Sequence, residues 1–157
     1  YLTFESMRRG HIPDLILTAR NLNEKMSKHI FDRTLKGVKK KDIKYKSLKV
    51  LILGYAFKED CIDTRNTKVL DIAKFFARNH HKVDIYDPLI PEQDISFQNL
   101  KFLSSPKSNF YDVILFCVPH MELKKLGLNK LKSYGKKRHY FFDIKSIFKK
   151  FEVDDQL

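Results

Sequence analysis

The stretch from Gly54 to Thr67 carries the residue types best suited to hold an anion. Lys58 and Arg65 supply two cations, and the stretch leads from an apolar run into a helical pattern. The N-terminus of a helix itself favours anions, because its first backbone N–H groups lack partners. These features predict a site for a phosphate-bearing ligand. The alternative is that both cations pair with acids of the same stretch, which are Glu59, Asp60 and Asp63.

No glycine-rich phosphate loop accompanies these cations. Gly54 stands alone in the stretch, so neither the Gly-x-Gly-x-x-Gly fingerprint nor a Walker loop is present. The stretch is nevertheless long for a turn between a strand and a helix, and long loops in compact domains tend to carry function. A standard dinucleotide site is therefore not expected here, although a functional loop is.

The two cysteines invite a question about covalent chemistry. Cys61 lies near Lys58 and Arg65, an arrangement typical of reactive thiols. The alternative, a small residue tolerated in a loop, is the favoured interpretation. Cys117 falls within an apolar run and predicts core packing. Two cysteines also cannot form a disulfide framework or a zinc cluster, so no metal site is expected.

Two polar residues follow predicted strands directly. His120 comes after Pro119 and is either a general base or a polar residue at a strand end, and the second interpretation is favoured. Asp87 precedes Pro88 and either hydrogen-bonds a ribose or makes the turn. For Asp87 the turn is favoured, so neither residue is expected to be catalytic.

Residues 13–37 predict one long helix. Pro13 and Asp14 suit its first turn, and Gly37 suits its end. Apolar residues recur along one side at helical spacing, and these are Leu15, Ala19, Leu22, Met26 and Ile30. Such a helix is longer than the core of a small domain needs. It is therefore either an ordinary surface helix or a linker or dimerisation helix.

Apolar runs separated by helical patterns predict the rest of the fold. Strands are expected over 48–53, 82–86, 100–103, 112–118 and 139–144. Helices are expected after a cap at Asn66 or Thr67 and over 121–134. This alternation predicts an α/β fold with a doubly wound parallel sheet. Ligands of such sheets bind beyond the carboxyl ends of the strands, so function is expected in the loops that follow them.

The large net positive charge of the chain does not by itself identify a binding partner. The 31 Lys and Arg residues exceed the 19 Asp and Glu residues by twelve. The lysines do not alternate with aromatic residues, and neither zinc-finger spacing nor a basic region with heptads is present. Most of the charge is therefore interpreted as solvated surface. No apolar run approaches the length of a membrane span, and the start does not read as a secretory signal, so a soluble, cytoplasmic protein is expected.

Several short motifs together resemble one enzyme family. They are Phe57-Lys58-Glu59-Asp60, Asp63-Thr64-Arg65-Asn66, Tyr86-Asp87-Pro88, Val118-Pro119-His120 and Phe142-Asp143-Ile144-Lys145. With Gly54 at the head of the loop, this combination resembles the C-terminal part of the UDP-glucose/GDP-mannose dehydrogenase family. Within that family it is most similar to the bacterial UDP-N-acetylhexosamine 6-dehydrogenases. The resemblance covers nearly the whole chain.

The resemblance implies an NAD-dependent oxidation of the C6 alcohol of a UDP-sugar to a uronic acid. It implies that Phe57 and Lys58 contact the UDP-sugar and that Arg65 reaches toward NAD. Lys145 would contact the substrate where some members use arginine, although lysine lacks the bidentate fork. The family's catalytic cysteine would precede Tyr1, so no catalytic residue is assigned here. A chain without it would be inactive alone.

The resemblance also implies a division of the chain. Residues 1–46 would end a central helical domain that forms a homodimer, and residues 47–157 would form a Rossmann-like UDP-binding domain. Neither nucleic acid nor a membrane is expected as a partner. Two alternatives remain: a non-enzymatic basic module that binds nucleic acid, and a free-standing nucleotide-binding domain with a regulatory role.

Overall fold

The structure is a computed structural model, and it describes Glu5, Arg8, residues 14–91 and residues 98–157. From residue 14 onward, its α-helices are α1 (Asp14–Lys40), α2 (Val69–Arg78) and α3 (Met121–Lys132), and a short 3-10 helix covers Lys150–Glu152. Its strands are β1 (Lys49–Leu53), β2 (Lys82–Tyr86), β3 (Leu100–Leu103), β4 (Tyr111–Phe116), β5 (Gly135–Asp143) and β6 (Asp155–Gln156). The predicted start of the first helix at Pro13 lies outside the described residues.

The strands form one parallel sheet in the order β3-β2-β1-β4-β5-β6. The chain leaves the central strand β1 toward one edge and then returns to build the other, which is the doubly wound arrangement. Leu53 pairs with both Tyr86 and Phe116, so β1, β2 and β4 end at the same level. The fold class predicted from the sequence is confirmed. The loops that follow these strands therefore meet at the carboxyl end of the sheet.

Each face of the sheet has its own hydrophobic core. On one face, α1 and α2 cover Val50 and Ile52, and Phe76 of α2 is fully buried there. On the other face, α3 packs against Leu51 and Leu53. Successive side chains of a strand point to opposite faces. The strand β1 is therefore buried on both sides, which explains its continuous aliphatic sequence.

Among the side chains of α1 that the structure describes, the buried ones lie in its C-terminal half. Ile30 is buried in the core, whereas Leu22 is 65% exposed and Ala19 is exposed. The predicted apolar stripe therefore continues beyond the surface that this sheet can cover. Gly37 does not end the helix as predicted, because α1 continues to Lys40. In the described part of the chain, no helix combines the length and apolar character needed to cross a membrane.

Other element boundaries also differ from the sequence prediction. The helix α3 is interrupted at Gly127, where φ is 75° and ψ is 156°. The strand β5 begins at Gly135 rather than at residue 139, and the two-residue strand β6 had no sequence signal. The N-cap of α2 is Lys68, which makes no side-chain capping bond, so neither Asn66 nor Thr67 caps the helix as predicted, although the hydroxyl of Thr67 accepts the N–H of Val69 at 3.2 Å. These differences leave the sheet order unchanged.

Gly54 is required where β1 ends. Its φ of +83° lies in the region that residues with a side chain rarely adopt. A Cβ at this position would also overlap the carbonyl oxygen of Val118. Its N–H continues the sheet by donating to the carbonyl of Tyr86 at 2.8 Å. The glycine thus lets the loop after β1 pass directly over the end of β4.

Gly54→Ala should destabilise the fold more than Gly127→Ala. Both positions have positive φ, which costs about 1–3 kcal/mol for alanine, but a Cβ at Gly127 meets nothing within 4 Å. The overlap at Gly54 should add about 1–3 kcal/mol. Urea unfolding of the two variants measures the difference. Equal losses would show that the close approach to Val118 has no energetic weight.

Candidate functional site

The carboxyl ends of β1, β2, β4 and β5 carry the residues that the sequence singled out. A buried carboxylate, that of Asp87 at the end of β2, lies beneath them. Its Oδ2 accepts the backbone N–H of Tyr55 at 2.6 Å and that of Ala56 at 3.2 Å. Its Oδ1 accepts the N–H of Leu89 at 2.9 Å. One side chain therefore fixes the start of the loop after β1 and makes its own turn.

Asp87 is stabilised in its charged form despite its burial. Burial by itself raises the pKa of this carboxyl, but the hydrogen bonds from His120, Tyr55 and Leu89 outweigh it. The pKa of Asp87 is consequently below its ordinary value. The carboxylate can thus act as a permanent acceptor for the loop.

His120, at the start of α3, uses both of its ring nitrogens. Its side chain is 0% exposed, and its Nε2 lies 2.9 Å from Oδ2 of Asp87. Its Nδ1 accepts the backbone N–H of Asp60 at 2.9 Å. Because Nδ1 is an acceptor, the ring proton resides on Nε2 and is donated to Asp87. His120 is therefore a buried structural residue rather than an accessible base, as the favoured interpretation had it.

Asp60 attaches the tip of the loop to α3. Its backbone has a φ of +53°, which aspartate tolerates better than most residues. Its Oδ1 accepts the N–H of Met121 at 2.7 Å. The neighbouring Glu59 pairs with Lys124 of the same helix at 3.0 Å. The loop after β1 is thus held at its beginning by Asp87 and at its tip by His120 and α3.

A cleft of about 300 Å³ opens above this attachment. It is lined by Phe57, Lys58, Glu59, Val118 and Lys145. Three of the predicted site residues, Phe57, Lys58 and Lys145, are therefore brought together by the fold. The acid of this cleft, Glu59, is already neutralised by Lys124, so the cleft carries net positive charge. Phe57 is 60% exposed, which leaves an apolar ring at the cleft with room for a ligand.

Arg65, the fourth predicted site residue, does not line this cleft. Its guanidinium makes a two-point contact with Asp63, with Nε 3.0 Å from Oδ1 and Nη2 2.8 Å from Oδ2. Its side chain is 85% exposed. The hydrogen bond from Arg65 lowers the pKa of Asp63 to about 2. The expectation that Lys58 and Arg65 share one anion site is thus not met, because the local acid holds the arginine.

Neither cysteine lies in the cleft lining. Cys61 is half-buried, and its Sγ accepts the N–H of Asp63 at 3.4 Å. Cys117 is buried, and burial raises the pKa of its thiol, with only partial opposition from the charge of Lys145. Cys117 is core packing, as predicted, and Cys61 is a small loop residue. Among the described residues, no group of three or more His, Cys, Asp or Glu could hold a metal ion.

The contacts that hold the cleft in place do not follow from the motifs taken singly. Taken singly, Asp87 and His120 are strand-end residues, and Asp60 is a partner for cations. The available signal was their shared position at strand ends, because such positions meet at one edge of a parallel sheet. The side-chain contact between Glu59 and Lys124 spans 65 residues and has no local signal.

A larger groove of about 580 Å³ lies elsewhere, near the amino ends of β1, β2 and β3. Its cations are Lys49, Lys82, Lys101 and Lys107. Only residues 104–110 connect β3 to β4, without a helix, so this part of the sheet face stays open. Nζ of Lys49 lies 3.9 Å from the centroid of the Phe110 ring and covers apolar surface there. The groove contains no residue of the predicted site.

The fold and the cleft together define an α/β domain with a doubly wound parallel sheet and a basic cleft at the carboxyl ends of its strands. Residues 51–150 match the sequence profile of the UDP-glucose/GDP-mannose dehydrogenase family, UDP binding domain. The chain belongs to this family, which confirms the resemblance drawn from its motifs. The profile covers β1 to β5 and therefore includes all four predicted site residues.

Individual relatives agree with this assignment. The chain is 34% identical to the UDP-N-acetyl-D-glucosamine 6-dehydrogenase of Salmonella typhi over its full length, which is 37% of that protein. It is 34% identical to Protein CapL of Staphylococcus aureus, with 98% of this chain and 36% of that one covered. The chain thus spans little more than a third of the length of these relatives.

Solved structures share the fold. The UDP-D-ManNAc dehydrogenase of Pyrococcus horikoshii superposes with a TM-score of 0.71 at 24% identity, covering 87% of this chain and 31% of that one. The NDP-N-acetyl-D-galactosaminuronic acid dehydrogenase of Methanosarcina mazei gives a TM-score of 0.72 at 21% identity, with 87% and 28% covered. At this identity the likeness establishes the architecture.

Arg65→Ala should release the carboxyl of Asp63 from its low pKa. Without the guanidinium, the pKa of Asp63 should rise from about 2 toward the ordinary value of about 3.9. A carbon-detected NMR titration of the side-chain carboxyl measures the change. Lys58→Ala is the matched control and should raise this pKa less, because Lys58 contributes least to the shift. An unchanged value in Arg65→Ala would mean that the pair does not form in solution.

Proposed function

We propose that the cleft between the loop after β1 and the loop after β5 binds the UDP moiety of a UDP-sugar. The observation that carries this proposal is the convergence of Phe57, Lys58 and Lys145 on one cleft with net positive charge. A pyrophosphate supplies the complementary charge. The family model that residues 51–150 match is that of a UDP-binding domain.

Each cleft residue has a distinct task in this proposal. The ammonium of Lys58 pairs with phosphate oxygens, because charge-assisted hydrogen bonds of this kind are the strong ones. Lys145 adds a second point charge from the opposite wall, although it lacks the bidentate geometry of the arginine that some family members use. The exposed ring of Phe57 covers apolar surface of the bound nucleotide. Glu59, paired outward with Lys124, does not oppose the charge of the ligand.

The reaction proposed for the whole protein is the oxidation of the C6 alcohol of a UDP-sugar to a uronic acid with two molecules of NAD. When bound, NAD supplies the acceptor for hydride. The fit of this chain to NAD is partial, because the loop after β1 lacks the glycine fingerprint of a dinucleotide site. Arg65 is exposed outside the cleft, so its guanidinium could turn from Asp63 toward a cofactor held by another domain. This chain would therefore hold the substrate and contribute one arginine to the cofactor.

The domain division and the dimer belong to the same proposal. In this proposal residues 47–157 form the UDP-binding domain, and residues 1–46 are the end of a central helical domain that makes the dimer. The exposed apolar residues Ile16 and Leu22 lie on the N-terminal half of α1. In this proposal they are covered by a second copy of the protein, which makes a homodimer.

Lys58→Ala should weaken the binding of UDP about tenfold, which corresponds to about 1.4 kcal/mol, because one charge-assisted contact to phosphate is lost. Isothermal titration of the 157-residue chain with UDP measures this. Lys107→Ala is the matched control, because it removes a lysine from the larger groove and should leave the affinity unchanged.

The reverse result would relocate the site. If Lys107→Ala weakens binding and Lys58→Ala does not, UDP occupies the basic groove instead. If unrelated oligonucleotides bind more tightly than UDP with a steep dependence on salt, the chain acts as a nucleic-acid module. Absence of saturable UDP binding to folded wild-type chain would refute the proposed function.

The 157-residue chain should bind UDP-N-acetylglucosamine without reducing NAD. Oxidation to the acid needs a thiolate at the substrate, and neither Cys61 nor Cys117 lines the cleft. The absorbance of NADH, followed with substrate and NAD present, tests this. Turnover would contradict the assignment, and its loss in Cys61→Ser would then identify Cys61 as the catalytic thiol.

A further inference from the structure

The segment that bears Phe57 and Lys58 is held by hydrogen bonds on both sides, which we call its two anchors. Before it, the N–H groups of Tyr55 and Ala56 donate to the carboxylate of Asp87. After it, the N–H of Asp60 donates to Nδ1 of His120. One further backbone bond braces the segment, from the N–H of Phe57 to the carbonyl of Asp63 at 2.8 Å. The position of Lys58 in the cleft therefore depends on both anchors.

The two anchors are one connected unit. Nε2 of His120 lies 2.9 Å from the same Oδ2 of Asp87 that receives the N–H groups of Tyr55 and Ala56. The carboxylate draws the ring proton to Nε2, which leaves the lone pair of Nδ1 free to accept from Asp60. If the ring carried its proton on Nδ1, the contact with the N–H of Asp60 would be repulsive. Asp87 thus selects the tautomer that the second anchor requires.

His120 cannot act on a ligand directly. Its side chain is 0% exposed, and both ring nitrogens are occupied within the protein. The groups that face it are the carboxylates of Asp87 at 2.9 Å and of Asp60 at 3.9 Å. Any effect of His120 on binding must therefore pass through the loop that carries Lys58.

We infer that His120 and Asp87 are positioning residues that place Lys58 and Phe57 for the nucleotide and thereby set its affinity. This inference rests on the proposed function, because it concerns the same cleft. His120 acts by fixing the loop tip, and Asp87 acts by fixing the loop start and the tautomer of His120. Neither residue touches the ligand.

Comparison of His120→Ala with His120→Asn tests the role of Nδ1. Alanine removes the acceptor for the N–H of Asp60, whereas Oδ1 of asparagine occupies nearly the place of Nδ1 and can accept it. We expect His120→Ala to weaken UDP binding about tenfold and His120→Asn to recover most of the loss. Titration of each variant with UDP, alongside its thermal unfolding, gives the result.

A double-mutant cycle separates positioning from general stability. In a Lys58→Ala background, His120→Ala should cost less affinity than it does in wild type, because one of the two side chains that it positions is already absent. Asp112→Ala is the matched control, since Asp112 also holds a backbone N–H, that of Lys49 at 2.9 Å, but at the opposite edge of the sheet. It should lower stability and leave the affinity for UDP unchanged.

Amide hydrogen exchange provides a readout without ligand. The N–H of Asp60 should exchange faster in His120→Ala than in wild type, and more slowly again in His120→Asn. Two results would overturn the positioning inference and leave the proposed function standing. One is that His120→Ala binds UDP as tightly as wild type does. The other is that the losses of binding free energy in His120→Ala and Lys58→Ala are additive in the double variant. If folded wild type does not bind UDP, the proposed function falls, and the claimed effect on affinity falls with it.

Discussion

The candidate site depends on one buried carboxylate at the end of the second strand. An unpaired charge inside a protein is costly, so Asp87 must collect hydrogen-bond donors in order to remain ionised. It does so from three connections at once: Tyr55 and Ala56 after β1, Leu89 after β2, and His120 after β4. The buried charge thereby fixes the geometry of all three loops, in addition to the apolar packing of residues such as Tyr55, Ala56 and Val118.

The other wall of the cleft uses the same principle. Asp143, fully buried at the end of β5, accepts the N–H of Lys145 at 3.3 Å and that of Phe148 at 2.8 Å. Two buried acids at the carboxyl edge of the sheet thus each hold the backbone of a loop that bears a cleft lysine. The two lysines of the cleft are therefore placed by buried carboxylates that hold the backbone of their loops.

The sequence was sufficient for the parts of this structure that have a local cause. The run Val50–Leu53 could be assigned as a central strand because burial on both faces leaves no polar position. Gly37 was predicted to end the helix, but it lies inside α1. A glycine is needed there because a Cβ would clash with the ring of Tyr140. Likewise, β6 is held by distant contacts, among them the bidentate pair of Arg33 and Asp155. Such contacts leave no periodicity in the chain.

The same limit governed the site. The motifs identified Phe57, Lys58 and Lys145, but the choice of partner for Arg65 depended on the path of the backbone. Asp63 accepts the N–H of Arg65 at 2.9 Å and so turns its carboxylate toward the guanidinium of the same residue. This turn makes the pair of Asp63 and Arg65 the local arrangement of the loop when no other anion is bound. An exposed pair of this kind is worth little energy, so Asp63 can hold the arginine in the absence of a ligand without preventing its transfer to a stronger anionic partner.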